Sequence, residues 1–210
     1  MIRLRSLRYL LAAGIYAGAL GSAAADSHTR IPEPAGPPDV PEAYAAVKEK
    51  LAVCFDCHAV NGYTPDPAFP ILSGQEFYYL YVQLKDFEAG RRVSDIMGPI
   101  ASQLNRDEMK LVAQYYSEQP WPDIGYSGAP DKVAVGERAT AAGQCVQCHL
   151  GGYEGNSRIP RLAGQYPGYL RKTMLDFKTK ARANSAAKSS LMESFSDADL
   201  EAMAEFLANM

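Results

Sequence analysis

Cys54-Phe55-Asp56-Cys57-His58 and Cys145-Val146-Gln147-Cys148-His149 are two copies of one pentapeptide, and between them they use all four cysteines and two of the three histidines of this 210-residue chain. Two thiols three residues apart lie on one face of a helical turn, where each can add to one vinyl group of a single haem and form a thioether. The histidine that follows is then held under the iron as proximal ligand. A bare Cys-x-x-Cys also serves as half a zinc site or as a redox dithiol. Neither reading accounts for a histidine directly after both pairs. The motifs therefore predict two covalently bound haem c groups, tethered by Cys54 and Cys57 and by Cys145 and Cys148, with His58 and His149 as iron ligands.

The chain around the motifs is duplicated as well. At an offset of 90, Pro70, Leu72, Gly74, Gln75, Tyr79, Leu80, Asp86, Phe87 and Arg92 return as Pro160, Leu162, Gly164, Gln165, Tyr169, Leu170, Asp176, Phe177 and Arg182. At an offset of 91, Asn105-Arg106-Asp107-Glu108 and Ser196-Asp197-Ala198-Asp199 occupy matching places, each reading as a capping box. Each opens a helix, with the apolar stripe Met109, Val112, Tyr115 and Tyr116 in one copy and Leu200, Met203, Phe206 and Leu207 in the other. No alternating strand pattern competes. The repeat predicts an all-α protein of two tandem domains, 42–118 and 131–210. Each has a short helix ending in the haem motif, a middle helix (75–89 and 165–180) and a C-terminal helix. The proline-rich stretch 119–130 reads as a stiff linker.

Arg3, Arg5 and Arg8, the apolar run from Tyr9 to Leu20 and Ala23-Ala24-Ala25 read as a signal peptide over 1–25, cleaved before Asp26, which sends the mature chain to the periplasm. Residues 26–41, with five prolines, read as an extended N-terminal arm. Export favours disulfides, but both cysteine pairs are committed to haem. Removing three arginines and no acid takes the formal charge from −3 to −6, which argues against a nucleic-acid partner. One segment runs the other way: Arg158 to Lys188 holds eight Lys or Arg against the single acid Asp176. Such a run is either a solvated helix face or a docking surface for an acidic partner.

With Cys54-x-x-Cys57-His58 and Pro70-Ile71-Leu72-Ser73-Gly74-Gln75, and with Cys145-x-x-Cys148-His149 and Pro160-Arg161-Leu162-Ala163-Gly164-Gln165, the chain resembles the cytochrome c4 group of dihaem, two-domain class I cytochromes c. The resemblance covers essentially the whole mature chain. It implies that the carbonyls of Pro70 and Pro160 stand behind His58 and His149, fixing each imidazole. It also implies an electron carrier between redox protein partners, a membrane oxidase or a flavoprotein dehydrogenase among them. The dihaem subunits of flavocytochrome c sulfide dehydrogenases are similar too. A haem enzyme acting on a sulfur compound or peroxide at the second iron is the remaining alternative.

The sixth ligands set that choice. His28, in the arm, is the only other histidine, so histidine cannot complete both irons. Met97, in Asp95-Ile96-Met97-Gly98-Pro99, precedes the C-terminal helix as the family's axial methionine does, whereas Met109 belongs to a helix stripe. In the second copy the offsets carry Met97 onto Ala187 and Lys188, and Met192 lies four to five residues late. Met192 by its soft sulfur and Lys188 by its register are the two candidates, with Met192 slightly preferred. An open site is the third option.

Overall fold

In a computed structural model describing residues 40–210, every regular element is a helix, and the only β-type pairings are two isolated bridges. The signal peptide, His28 and residues 26–39 of the arm lie outside the described residues. A 3-10 turn over Glu42–Val47 leads into α1 (Lys48–His58), followed by α2 (Phe77–Glu88), α3 (Met97–Ala101) and α4 (Arg106–Ser117). The second half repeats the order with α5 (Pro130–Ala142), α6 (Val146–His149), α7 (Pro167–Lys178), α8 (Ala186–Glu193) and α9 (Asp197–Ala208).

Both expected capping boxes form. The Asn105 side chain accepts from Asp107 and Glu108 N–H while Glu108 reaches back, and Ser196 and Asp199 do the same for α9. The stripes they launch are the cores: Met109, Val112, Tyr115 and Tyr116 are buried in α4, and Leu200, Met203 and Leu207 in α9. In the second half α5 lies so close to α9 that a Cβ on Gly136 would stand 2.0 Å from the Ala202 carbonyl oxygen, so only glycine fits there.

Three local expectations need correction. The second motif does not end one continuous helix, because α5 stops at Ala142 and Gln144 turns into the left-handed region at φ 53° before α6 begins. Phe195 packs over Gly143, where an added Cβ would meet its ring at 3.1 Å. Second, Met97, Lys188 and Met192 lie on short helices rather than loops. Ser185 Oγ caps α8 by accepting from Lys188 N–H, and Ser94 Oγ accepts from Met97 N–H ahead of α3, whose N-cap Ile96 has no side-chain cap; the apolar pattern reveals neither bond. Third, the basic run is not a free patch. Arg171, Lys172, Lys178 and Lys180 pair with Glu201, Asp176, Asp197 and Glu193, Arg182 is buried, and Arg161 stacks on Trp121.

The halves are joined by reciprocal amide pairs. Gln165 accepts from Ile71 N–H and donates to Ile71 C=O, both at 3.0 Å, while Gln75 accepts from Arg161 N–H at 2.8 Å and donates to Arg161 C=O at 3.0 Å. Since Gln75 and Gln165 are repeat equivalents, as are Ile71 and Arg161, the seam has approximate two-fold symmetry. Trp121 of the linker lies against both Gly74 and Gly164, at places where a Cβ would come within 2.9 and 3.0 Å of it.

Gln165→Leu leaves both backbone groups of buried Ile71 without partners, at about 1–3 kcal/mol each. Chemical denaturation is expected to show a loss of about 2–4 kcal/mol. A loss below about 0.5 kcal/mol would mean that water or a shifted backbone satisfies these groups.

Candidate haem sites

Cys54 and Cys57 lie in the last turns of α1, and His58 is its final residue. Immediately after each motif the chain leaves the helix through a strained residue: Ala59 has φ 57° and ψ 167°, Leu150 φ 66° and ψ 173°. This region is close to glycine-only and costs about 1–3 kcal/mol per residue, a strain that tends to persist at ligand sites. It turns the chain into the loop that carries Pro70 or Pro160 back past the histidine. In both loops one carbonyl, of Gly62 or Tyr153, accepts two N–H groups, from Leu72 and Ser73 or from Leu162 and Ala163.

His149 Nδ1 is 2.8 Å from Pro160 O, as the resemblance implies. At His58 the Pro70 carbonyl raises ring basicity, yet Nδ1 closes no hydrogen bond of good geometry and is a buried orphan. Burial holds both imidazoles below the ordinary histidine value; the Pro160 carbonyl raises His149 in part, and Lys188 lowers it further. Both rings are thus neutral at pH 7, the form that binds a metal. Burial pushes the Cys54 thiol up to about 11 and raises Cys145 as well, marking the enclosed, weakly polar surroundings of both sulfurs.

Both motifs open onto one cavity of about 760 Å³, lined by Cys54, Cys57 and His58 from the first half and by Cys145, Cys148 and His149 from the second. The donor set fits two tethered haems: each pair of thiols has a neutral imidazole next to it, and the remaining walls are largely apolar, among them Leu80, Leu84, Phe87, Leu170 and Phe177.

Met97, Lys188 and Met192 all line this cavity. The serine bonds align the two segments at an offset of 91, since Ser94 accepts from Met97 N–H and Ser185 from Lys188 N–H. Lys188 is thus the counterpart of Met97 in that alignment, although Met97 is the first residue of α3 and Lys188 the third of α8. Met192 is one turn further on, only 8% exposed and packed in a core cluster with Ala139, Phe177, Leu200 and Met203. Burial, reinforced by Arg182, depresses the Lys188 ammonium to about 8. The rims differ too. Val53, Val93 and Ile96 are exposed apolar residues lining the first site, and Val93 is 73% exposed. Sequence reasoning missed the polar cluster of Gln83, Arg92, Tyr169, Arg182 and Asn184 between the sites; three of its members, Arg92, Tyr169 and Arg182, sit among the repeat identities, which was its only signal.

Fold and site together define a c-type cytochrome with two covalently attached haem c groups, an electron carrier. The Cytochrome c family matches residues 133–210. Cytochrome c4 of Azotobacter vinelandii is 30% identical over 188 residues, spanning 79% of this chain and 88% of that protein. The thiosulfate dehydrogenase electron acceptor of Stutzerimonas stutzeri is 32% identical over 169 residues, covering 75% and 78%. The crystal structure of reduced recombinant cytochrome c4 from Pseudomonas stutzeri superposes with a TM-score of 0.71 at 29% identity, covering 79% of this chain and 97% of that one. The chain belongs to the cytochrome c4 family.

Proposed function

We propose that this protein carries electrons in the periplasm between redox partners of a respiratory chain, and that its two irons are unequally ligated. The observation that carries the proposal is the matched pair of serine bonds, Ser94 Oγ to Met97 N–H and Ser185 Oγ to Lys188 N–H, which aligns Lys188 with Met97. When bound, each haem supplies an iron that accepts and returns one electron. The cysteines tether it, His58 and His149 serve as proximal ligands, and the Pro70 and Pro160 carbonyls orient those rings. Met97 offers the first iron a soft thioether, which favours Fe(II). Lys188 offers the second an amine, a harder donor that favours Fe(III), while Met192 stays in the core. The second site then has the lower potential, so transfer between the halves runs downhill toward the first. The exposed apolar rim of Val53, Val93 and Ile96 suits short-lived contact with a partner there.

Among the described residues no helix is long and apolar enough to cross a membrane, and the leader over 1–25 supports export. The relative in S. stutzeri described as a thiosulfate dehydrogenase electron acceptor supports a second reading of the donor. In it, electrons arrive from a sulfur-compound dehydrogenase, here a thiosulfate-oxidising partner rather than the flavoprotein of a sulfide dehydrogenase. Reduction of the oxidised protein by each candidate donor, followed by stopped-flow absorbance, separates the two.

Met97→Ala is expected to open the first iron to added cyanide or imidazole and to lower its potential by a sizeable part of the about 0.8 V that axial ligands span. An unchanged spectrum would assign the first sixth ligand to another group. For the second iron, near-infrared magnetic circular dichroism of the oxidised protein distinguishes amine, thioether and water ligation. Lys188→Ala is expected to abolish an amine band while Met192→Ala leaves it intact. The opposite pattern would make Met192 the ligand, and no change in either would leave the second site open, favouring a haem enzyme.

A further inference from the structure

Arg92 and Arg182 are repeat equivalents whose backbones pair as an antiparallel bridge across the seam. Each guanidinium stacks on a phenylalanine of its own half, Arg92 on Phe87 at 4.6 Å and Arg182 on Phe177 at 4.5 Å. Each then reaches into the other half: Arg92 donates to Tyr169 Oη at 3.0 Å, and Arg182 to Tyr79 Oη at 3.4 Å and to Gln83 Oε1 at 2.7 Å. Arg92 also donates to Gln83, and Arg182 to Asn184. All of these partners are neutral. The nearby acids are engaged elsewhere, Asp86 with Arg91 and Asn184, and Asp176 with Lys172.

Arginine cannot shed its proton, and a buried cation with no counter-ion is costly. Arg182 is 5% exposed. Its field shows in Tyr79, which burial alone would push up but which Arg182 and Arg92 pull down to about 8. Both arginines line the cavity shared by the two motifs, together with Tyr79 and Tyr169. Here are two fixed positive charges beside a space built for two cofactors that each carry propionate carboxylates.

We propose that Arg92 and Arg182 form a crossed pair that anchors haem propionates at the seam and makes the two reduction potentials depend on each other. The inference rests on the dihaem reading. Because each arginine belongs to one half and touches the other, its charge acts on both irons. A positive charge close to an iron favours the electron-richer Fe(II) form, so removing one arginine lowers both potentials.

The test uses the full holoprotein, with haem counted in every sample so that failure of the dihaem reading is seen separately. Spectroelectrochemistry gives the two potentials. Redox-difference infrared spectroscopy with ¹³C-labelled propionate carboxylates reports their surroundings. Arg92→Gln and Arg182→Gln should each lower both potentials and shift the labelled bands. Arg182→Lys, which keeps the charge but not the bidentate fork, should shift the bands while retaining most of the potential. Arg138→Gln, a charge loss at an exposed position, should do neither. The proposal is overturned if the buried variants behave like Arg138→Gln, if only one haem responds, or if the labelled bands stay in place. It is also overturned if replacing chloride with acetate at constant ionic strength moves the potentials of the unaltered protein, since the anion would then come from solution. Should the glutamine variants fail to fold, unchanged bands in Arg182→Lys would overturn it alone.

Discussion

Everything in this protein hangs on the exchange of hydrogen bonds between Gln75 and Arg161 and between Gln165 and Ile71. A primary amide can satisfy one N–H and one C=O of an extended backbone at once, as a neighbouring β-strand would, and here each half lends the other a single residue of ladder. The backbone groups so capped belong to the loops that follow the haem motifs, and buried backbone groups demand partners. At Ile71 and Arg161 the loop's backbone groups are satisfied by the other half, so these residues cannot shift without breaking bonds across the seam. The same bonds that join the halves therefore hold the two proline loops, and with Pro160 the ring of His149, in place.

Much of this is legible in the sequence. The pentapeptides specify tethered haem because thiol spacing and the adjacent imidazole are chemistry, not propensity, and the repeat at 90 and 91 carries the architecture. The capping boxes mark α4 and α9 to the residue, since Asn105 and Ser196 declare themselves by what stands three residues later. What stays hidden is what depends on the third dimension. Nothing in the apolar pattern marks the left-handed turn at Gln144 that separates α5 from the second motif. The run of cations looks like a patch in one dimension, yet acids of α7, α8 and α9 pair with four of its eight members. The register of the second sixth-ligand segment needed the hydrogen bond from Lys188 N–H to Ser185, which sequence offsets of 90 and 91 leave open.

Symmetry and its breaking divide the labour. The scaffold is nearly symmetric: strained exits at Ala59 and Leu150, paired glutamines, crossed arginines, serine bonds to the N–H of Met97 and of Lys188. The departures concentrate at the candidate sixth-ligand segments, with Lys188 aligned to Met97 and with Val93, the most exposed large apolar side chain among the described residues, beside the first site. In the proposed ligation, a duplicated domain that kept its frame and varied its ligands gives two irons with different affinities for the electron.

The most direct test of that central claim is a potentiometric titration of the purified protein, followed in the haem absorption bands. Two separate one-electron steps per chain, reversible over repeated cycles, are expected of an unequal dihaem carrier. A total of one electron per chain, or two steps that coincide, would contradict it.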